Sequence, residues 1–375
     1  MRKYLILTVT AGEGHNSIAT AIERALLKDP ENAVQKIDVF KEFSSVRKFK
    51  FINNGYIWAC KHFPNIYNRV FRIYQKRNPE KRNSSPVQRL VKRETPKLLK
   101  YVNDSNPDVI ICSHFFPAII LTNLKKESKI TIPVVSILPD YTVHPFHECA
   151  NGIDYFILPD ESLKFELLHK GYKEEQLKPF GIPTKPEFYE LTDKATYRKQ
   201  LGFSNDLPLV MVMFGGGGFG KSKETLKQLL KCKHKIQIAI VNGKDLKSKE
   251  RIDKLLQKIS TQHIIKNYGF IDFVHAVMGA SDILIGKAGG VSVNESLNKD
   301  LPLALSNDLI AQEYDNKKFL MKKNACINLT KKYGLTKAMD DLCDNPEKLA
   351  AVKNNIQKIK KPNAIIDLIN LCKTI

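Results

Sequence analysis

Short apolar segments, each followed by a helical pattern, recur through the 375-residue chain and form two series. The first series runs from Tyr4–Val9 to Tyr155–Leu158, and the second runs from Leu209–Phe214 to Ile283–Ile285. Strands this short and apolar are typical of sheets that are covered on both faces, and the intervening helices allow parallel pairing. The pattern predicts an α/β fold of two Rossmann-like, doubly wound domains that face a central cleft.

Composition sets the predicted domain boundaries. We assign residues 1–185 to a first domain, the polar residues 186–206 to a linker and residues 207–355 to a second domain. Residues 356–375 predict a C-terminal helix, for which packing against the first domain is one option.

The sequence carries no signal for secretion or membrane insertion. No apolar run reaches the roughly 18 residues of a membrane span, and the apolar N-terminal segment is too short for a signal peptide. The seven cysteines are scattered and include no Cys-x-x-Cys pair, so we predict neither a disulfide framework nor a zinc site. We expect a cytoplasmic protein.

A glycine-bounded turn, Gly12-Glu13-Gly14, follows the first strand, and His15 stands where the next helix begins. The positive end of a helix dipole disfavours an imidazolium, so this histidine is expected to be neutral near pH 7 and able to accept a proton. A capping or packing role is the alternative. Glu13 is a second candidate base or an orienting group, and His114 either lines the same cleft or is buried.

Two further glycine segments each follow a strand. GGGGFG, which begins at Gly215, offers consecutive main-chain N–H groups that suit a phosphate, although a purely structural turn is the alternative. Gly289-Gly290 precede a helix that carries Glu295 one turn inside. That carboxylate suits the two hydroxyls of a ribose, or it is simply solvated.

In this order along the chain, the segments resemble glycosyltransferase family 28, and within it the glycosyltransferases that act on diacylglycerol. The resemblance rests on Gly-Lys-Ala-Gly-Gly-x4-Glu ending at Glu295, on Gln312-Glu313, on the glycine turn before His15, and on Pro139-Asp140 followed by His144. It implies a GT-B fold, with the sugar donor bound mainly to the second domain.

The resemblance also implies residue roles. Donor-binding roles fall on Gly216, Gly217 and Gly218 at the diphosphate, Phe270 at uracil, Gly289, Gly290 and Val291 at the phosphates, Glu295 at the ribose, and Gln312 and Glu313 at the transferred sugar. The catalytic base would be His15, and the acceptor-side or supporting residues would be Glu13, Gly14, Asp140 and His144.

The implied reaction is inverting transfer of a hexose from a UDP-sugar, UDP-glucose first, to diacylglycerol or glycosyl-diacylglycerol. UDP-galactose or UDP-GlcNAc with another lipid or small acceptor is the alternative, and a non-catalytic, membrane-binding nucleotide sensor is the alternative from another class. We expect no metal or other cofactor, because the chain contains no Asp-x-Asp triplet to hold a divalent ion on the diphosphate.

A basic, aromatic segment accounts for much of the net charge of +21. Residues 61–100 hold twelve Lys or Arg and two acids, and the aromatic spacing from Phe63 onward predicts one apolar helical face. Such a helix suits an anionic membrane surface at the inner face of the cell membrane, and a core-facing helix is the alternative. No RNA-binding motif is present, so we expect no nucleic acid partner. The predicted membrane-binding residues are Phe63, Tyr67, Arg69, Phe71, Arg72, Lys76, Arg77, Lys81 and Arg82.

Overall fold

The computed structural model describes residues 1–10, 13–43, 68–69, 72–73, 86–190, 192–215, 221–306, 309 and 311–375. The chain divides into two compact units. The first comprises Met1–Pro186, Ile310–Gln312 and Lys361–Ile375, and the second comprises Glu187–Leu309 and Glu313–Lys360.

The first unit is built on a parallel sheet of six strands, in the order β2-β1-β3-β4-β5-β6. These strands are β1 (Arg2–Thr8), β2 (Asn32–Asp38), β3 (Val109–Cys112), β4 (Val134–Ile137), β5 (Tyr155–Ile157) and β6 (Leu177–Lys178). Its α-helices are α1 (Glu13–Leu26), α2 (Val39–Phe43), α3 (Pro86–Ser105), α4 (Phe115–Lys126), α5 (Lys164–His169) and, from the end of the chain, Ala364–Thr374. Short 3-10 helices lie at Pro145–Ala150, Glu161–Leu163 and Glu174–Gln176, and a further one, Pro186–Phe188, spans the boundary between the units.

The second unit contains a second parallel six-stranded sheet, in the order β12-β11-β10-β7-β8-β9. Its strands are β7 (Leu209–Met213), β8 (Gln237–Val241), β9 (Ile264–Tyr268), β10 (Ile283–Gly286), β11 (Leu303–Leu305) and β12 (Cys326–Asn328). Its helices are α6 (Lys194–Leu201), α7 (Ser222–Leu229), α8 (Leu246–Leu256), α9 (Val274–Ala280), α10 (Gly290–Asn298), α12 (Leu335–Asp344), α13 (Pro346–Ile359) and, from Glu313 onward, α11 (Ala311–Lys322). The terminal helix Ala364–Thr374 is α14.

Burial explains why the strands are so apolar. Every residue of β3, β4, β8 and β10 is buried, as a parallel sheet with helices on both faces requires. Each unit has its own apolar core. The predicted α/β class with two doubly wound sheets is confirmed, and the predicted strands occur within a residue or two of their expected bounds.

The polar segment 186–206, predicted as a linker, is largely a structured part of the second unit, which begins at Glu187. Asp193 caps α6, and Arg198 is buried within it. The Arg198 guanidinium donates to the carbonyl oxygens of Ala280, Ser204, Asn205 and Leu207 and to the carboxylate of Asp282. Polar composition led to the linker prediction, because the sequence alone does not show that Arg198 is buried and hydrogen-bonded.

The two ends of the described chain meet in the first unit. Helix α14 packs against α1 and buries Ala364, Ile365, Leu368 and Cys372. The Arg2 guanidinium donates to the carbonyl oxygen of Lys373 at 2.7 Å. Among the described residues, no helix is both long and apolar enough to cross a membrane.

Candidate active site

His15 lies in the first turn of α1, the helix that follows β1 in the chain. The helix begins at Glu13, so Glu13 and Gly14, predicted to belong to the turn, are its first two residues. The Nδ1 atom of His15 lies 2.6 Å from the carbonyl oxygen of Ser113. A carbonyl oxygen only accepts, so Nδ1 carries the proton and Nε2 presents a lone pair in the neutral ring. Within the described part of the chain, Nε2 has no hydrogen-bond partner.

The surroundings of His15 favour the uncharged imidazole. Burial lowers the pKa of His15 below its ordinary value, while the hydrogen bond to Ser113 acts in the opposite direction. The direction of this pKa shift is the one that the sequence predicts, and its largest cause is removal of the ring from water. The ring is therefore neutral at pH 7, with Nε2 able to accept a proton.

The position of His15 follows from the strand order of the first sheet. Strand β1 pairs with β2 on one side and with β3 on the other. The chain therefore adds strands outward from β1 first in one direction and then, from β3 onward, in the opposite direction. Doubly wound folds bind ligands where this reversal leaves room beyond the carboxyl ends of the strands. The two strand ends are joined there, since Ser113 Oγ donates to Thr8 Oγ1 at 2.9 Å.

A row of aromatic and imidazole rings extends from His15. The centroid of the His114 ring is 4.4 Å from that of His15, and the Phe115 ring is 4.2 Å from His114. His144, a predicted acceptor-side residue, stacks on Phe115 at 4.6 Å. Phe146 stacks on both Phe115 and His144. The sequence did not indicate Phe115 or Phe146, because a phenylalanine after a strand looks like any core residue.

The acceptor-side candidates differ in exposure and in structural role. Glu13 is exposed, and Asp140, after β4, is partly buried. Nδ1 of His144 accepts a hydrogen bond from the N–H of Phe146 at 3.3 Å and so caps the 3-10 helix Pro145–Ala150. His144 therefore combines the structural support that was one of its predicted roles with a place in the row of rings.

In the second unit, the corresponding reversal of the strand order lies between β7 and β10. Gly286, at the end of β10, is paired with Met213 of β7. A Cβ at Gly286 would lie 2.2 Å from the Met213 carbonyl oxygen, so only glycine fits there. Gly289 is the N-cap of α10, and a Cβ there would meet nothing within 4 Å among the described residues. The main chain at Gly289 is thus open to a ligand.

Charged and polar side chains converge on this open segment. Lys287 forms an ion pair with Glu313, with Nζ and Oε1 3.6 Å apart. The Asn316 side chain donates to the carbonyl oxygen of Ala288 at 2.8 Å. Lys317 is buried and its Nζ donates to the carbonyl oxygens of Leu305 at 3.0 Å and Ser306 at 3.1 Å, just after β11. The first turns of α11 therefore attach to both β10 and β11.

Two family models match the chain one after the other. The model described as monogalactosyldiacylglycerol (MGDG) synthase matches residues 15–184, and the model described as glycosyltransferase family 28 C-terminal domain matches residues 209–368. Between them they take in most of the chain, including His15 and the segment from Lys287 to Glu313. The chain belongs to glycosyltransferase family 28.

Similar proteins cover nearly the full length of this family 28 glycosyltransferase. A processive diacylglycerol beta-glucosyltransferase of Bacillus pumilus is 24% identical over 96% of this chain and 91% of its own length. A probable chloroplastic monogalactosyldiacylglycerol synthase of Nicotiana tabacum is 26% identical over 98% of this chain and 70% of its own length.

Solved structures show the fold of the glycosyltransferase. MurG of Acinetobacter baumannii superposes with a TM-score of 0.66 at 12% identity, covering 100% of both chains. Anabaena HepE, solved in complex with UDP, gives a TM-score of 0.57 at 14% identity, again covering 100% of both chains. The predicted GT-B architecture is confirmed.

The remaining predicted donor residues of the glycosyltransferase lie in varied surroundings. Val291 and Glu295 are buried in α10, and Gly290 is its first residue. Gln312 and Glu313 are partly buried near the start of α11, whereas Phe270 is 69% exposed. The predicted diphosphate residues Gly216, Gly217 and Gly218 lie outside the described residues.

Most of the predicted membrane-binding segment also lies outside the described residues, namely Phe63, Tyr67, Phe71, Lys76, Arg77, Lys81 and Arg82. Arg69 and Arg72 are helical, Arg69 is exposed, and Ile73 beside them is 56% exposed. Within the described residues, no group of three or more His, Cys, Asp or Glu side chains is arranged to hold a metal ion.

Proposed function

We propose that this glycosyltransferase transfers a hexose from a UDP-sugar, with UDP-glucose as first choice, to the hydroxyl of diacylglycerol or of glycosyl-diacylglycerol. Full-length similarity to proteins named processive diacylglycerol beta-glucosyltransferase supports the choice of acceptor and sugar. The observation that carries the chemistry is the tautomer of His15, which leaves Nε2 able to take a proton.

In the proposed reaction, Nε2 of His15 removes the proton from the acceptor hydroxyl. The acceptor oxygen forms a bond to the anomeric carbon of the sugar, while the bond from that carbon to the phosphate oxygen of UDP breaks. A single displacement inverts the configuration, so an α-linked donor gives a β-glycoside. A positioned general base accelerates such a step by roughly 100- to 10,000-fold.

The proposed donor site lies on the second unit. The N-terminus of α10 supplies main-chain N–H groups and a partial positive charge, and the main chain at Gly289 is open. Lys287 adds a full positive charge close by, held by Glu313. We propose that these groups, without a metal ion, meet the charge that develops on the departing UDP. Glu295 would bind the ribose hydroxyls, and Gln312 and Glu313 those of the sugar.

We propose that the enzyme works in the cytoplasm, bound peripherally to the inner face of the cell membrane. The lipid acceptor requires access to a bilayer, and the cationic segment from residue 61 to residue 100 supports attraction to anionic headgroups.

Lipid products identify the reaction directly. The purified protein would be incubated with diacylglycerol vesicles and an equimolar mixture of UDP-glucose, UDP-galactose and UDP-GlcNAc, and the lipids would be analysed by mass spectrometry and by NMR of the anomeric proton. We expect β-linked hexosyl-diacylglycerol, formed equally well in EDTA. GlcNAc-lipid as the product, α-linkage, or UDP release without lipid product would each contradict part of the proposal.

UDP-galactose is the second candidate donor, because one similar protein is named a monogalactosyldiacylglycerol synthase. Glucose and galactose lipids have the same mass, so the two candidates are separated by hydrolysing the product and identifying the sugar by chromatography.

A further inference from the structure

His114 lies directly against the imidazole of His15. The two ring centroids are 4.4 Å apart and the ring planes meet at 66°, an edge-to-face contact. Since His114 follows Ser113 in the chain, two consecutive residues hold His15, one through its carbonyl oxygen and one through its ring. His114 itself is buried, with 6% of its surface exposed.

The two contacts constrain His15 more than either would singly. A hydrogen bond from Nδ1 to the Ser113 carbonyl leaves the ring able to turn about the N–H···O axis, and that rotation would swing Nε2 through an arc. A neighbouring ring in edge-to-face contact opposes the rotation. Nε2 is then held in one direction, which a base needs because a misplacement of about 1 Å can cost roughly 100-fold in rate.

His114 is also held firmly. Its Nδ1 accepts a hydrogen bond from the N–H of Phe116 at 3.0 Å, which makes it the N-cap of α4. Its ring lies 4.2 Å from that of Phe115, and Phe115 stacks on His144 with the ring planes 12° apart. Because its ring nitrogen is hydrogen-bonded and its ring packs against Phe115, His114 provides a rigid support for the ring of His15.

We propose that His114 is a positioning residue whose ring holds the imidazole of His15 in the orientation that a general base requires, while the Ser113 carbonyl sets the tautomer. The inference rests on the proposed function, because it takes His15 as the group that removes the acceptor proton. Being buried, His114 acts through His15 rather than on the substrate.

The titratable groups that face His114 are His15 from α1, His147 from the 3-10 helix Pro145–Ala150, and His144, which caps that 3-10 helix. Burial, and then these three neighbours, lower the pKa of His114 well below its ordinary value. His114 and His15 are therefore both neutral at pH 7, so their ring contact carries no like-charge repulsion.

Two substitutions distinguish the role of the His114 ring beside His15 from the role of His114 as the N-cap of α4. Asparagine is a favourable N-cap, so His114→Asn keeps an acceptor for the N–H of Phe116 but removes the ring beside His15. His114→Phe keeps a ring there and removes the acceptor. The control is His234→Asn in the second unit, which removes a histidine paired with Asp344 and lies outside the proposed site.

We would measure kcat, the KM for the UDP-sugar, the pH profile of kcat/KM, and the His15 tautomer from imidazole nitrogen shifts in labelled protein. For His114→Asn we expect kcat to fall about 10- to 100-fold with little change in KM. Water that enters beside His15 raises its pKa, so the acid limb of the profile moves to higher pH. His114→Phe should keep a larger share of kcat despite a lower melting temperature, and His234→Asn should match the wild type.

A His114→Asn protein whose kcat, acid limb and His15 tautomer all match the wild type would overturn the proposal, since the cap would then be the whole role of His114. If instead the His15 tautomer or pKa changes in His114→Asn, yet His15→Gln retains full turnover, the positioning role stands and the assignment of His15 as the base falls.

Discussion

At the scale of single residues, the hydrogen bond between His15 and the Ser113 carbonyl decides which ring nitrogen can accept a proton. The sequence predicted His15 as the base from its place at a helix start, and it predicted a neutral ring. It could not predict the tautomer, because the acceptor is a main-chain carbonyl that lies 98 residues away and that any residue at position 113 would supply. Lys317 was not predicted at all, since a lysine on a helix usually faces water.

Replacing His15 tests the base itself. Because Nε2 acts in its neutral form and burial lowers its pKa, kcat/KM should hold as the pH falls and decline only below about 6.5, the ordinary value for histidine. His15→Gln keeps an N–H donor for the Ser113 carbonyl but provides no base, and we expect kcat to fall roughly 100- to 10,000-fold. Binding of UDP, measured by calorimetry, should stay at the wild-type level. Near-normal turnover in His15→Gln would contradict the assignment.

Lys317 and its neighbour Lys318 form a matched pair. Lys317→Met removes the donor from the Leu305 and Ser306 carbonyls, and unsatisfied buried groups cost about 1–3 kcal/mol. Leu305 and Ser306 begin the chain segment that continues to Gln312 and Glu313, the proposed sugar-binding residues. We therefore also expect a higher KM for the UDP-sugar. Lys318→Met alters an exposed side chain and should change neither the urea midpoint nor the KM. Equal effects of the two variants would refute a special role for Lys317.

At the scale of elements, periodicity and apolar runs suffice to predict most strands, because a strand buried on both faces leaves a strong sequence signal. Strands β6 and β12 escaped prediction since each has only two or three residues within polar surroundings. The sheet order followed only from the structure. It explains why the segments after β1, β3, β7 and β10 carry many of the candidate residues, since the strand order reverses there.

Substitutions of Gly286 and Gly289 should affect different properties, the first the stability of the fold and the second the binding of UDP. Gly286→Ala places a Cβ against the Met213 carbonyl, where main chain cannot yield, and we expect a loss of about 1–3 kcal/mol in urea denaturation. Gly289→Ala meets open space, so it should cost at most about 1 kcal/mol as a poorer N-cap. It should nevertheless weaken UDP binding in calorimetry, since its methyl group enters the proposed phosphate site. Unchanged UDP affinity in Gly289→Ala would argue against that site.

At the scale of the whole molecule, the net charge of +21 favours attraction to anionic surfaces over a long range at low salt. The charge is uneven, because residues 61–100 hold twelve of the sixty Lys and Arg with only two acids. The structure describes only part of this segment, so its role in membrane binding remains a prediction from sequence.

Sedimentation with vesicles tests that role. Neutralising Lys76, Arg77, Lys81 and Arg82 with glutamine should abolish most binding to anionic vesicles, since each cation near the surface contributes about 1 kcal/mol. The control removes the same charge from exposed positions on or near α8, with glutamine at Lys247, Arg251, Lys254 and Lys258. Wild-type binding should decline with salt and be weak on zwitterionic vesicles. Equal losses in both variants would mean that net charge rather than this segment drives binding to vesicles. A gel shift with RNA that resists salt would instead indicate that nucleic acid is the partner of this segment.

The packing of α14 on α1 has a consequence for biosynthesis. The first unit receives residues 361–375 only after the whole second unit has left the ribosome. Until then the nascent chain carries an uncovered apolar surface on α1, a condition that invites chaperone binding during translation. Release of that chaperone would coincide with the arrival of α14 rather than with completion of the first sheet.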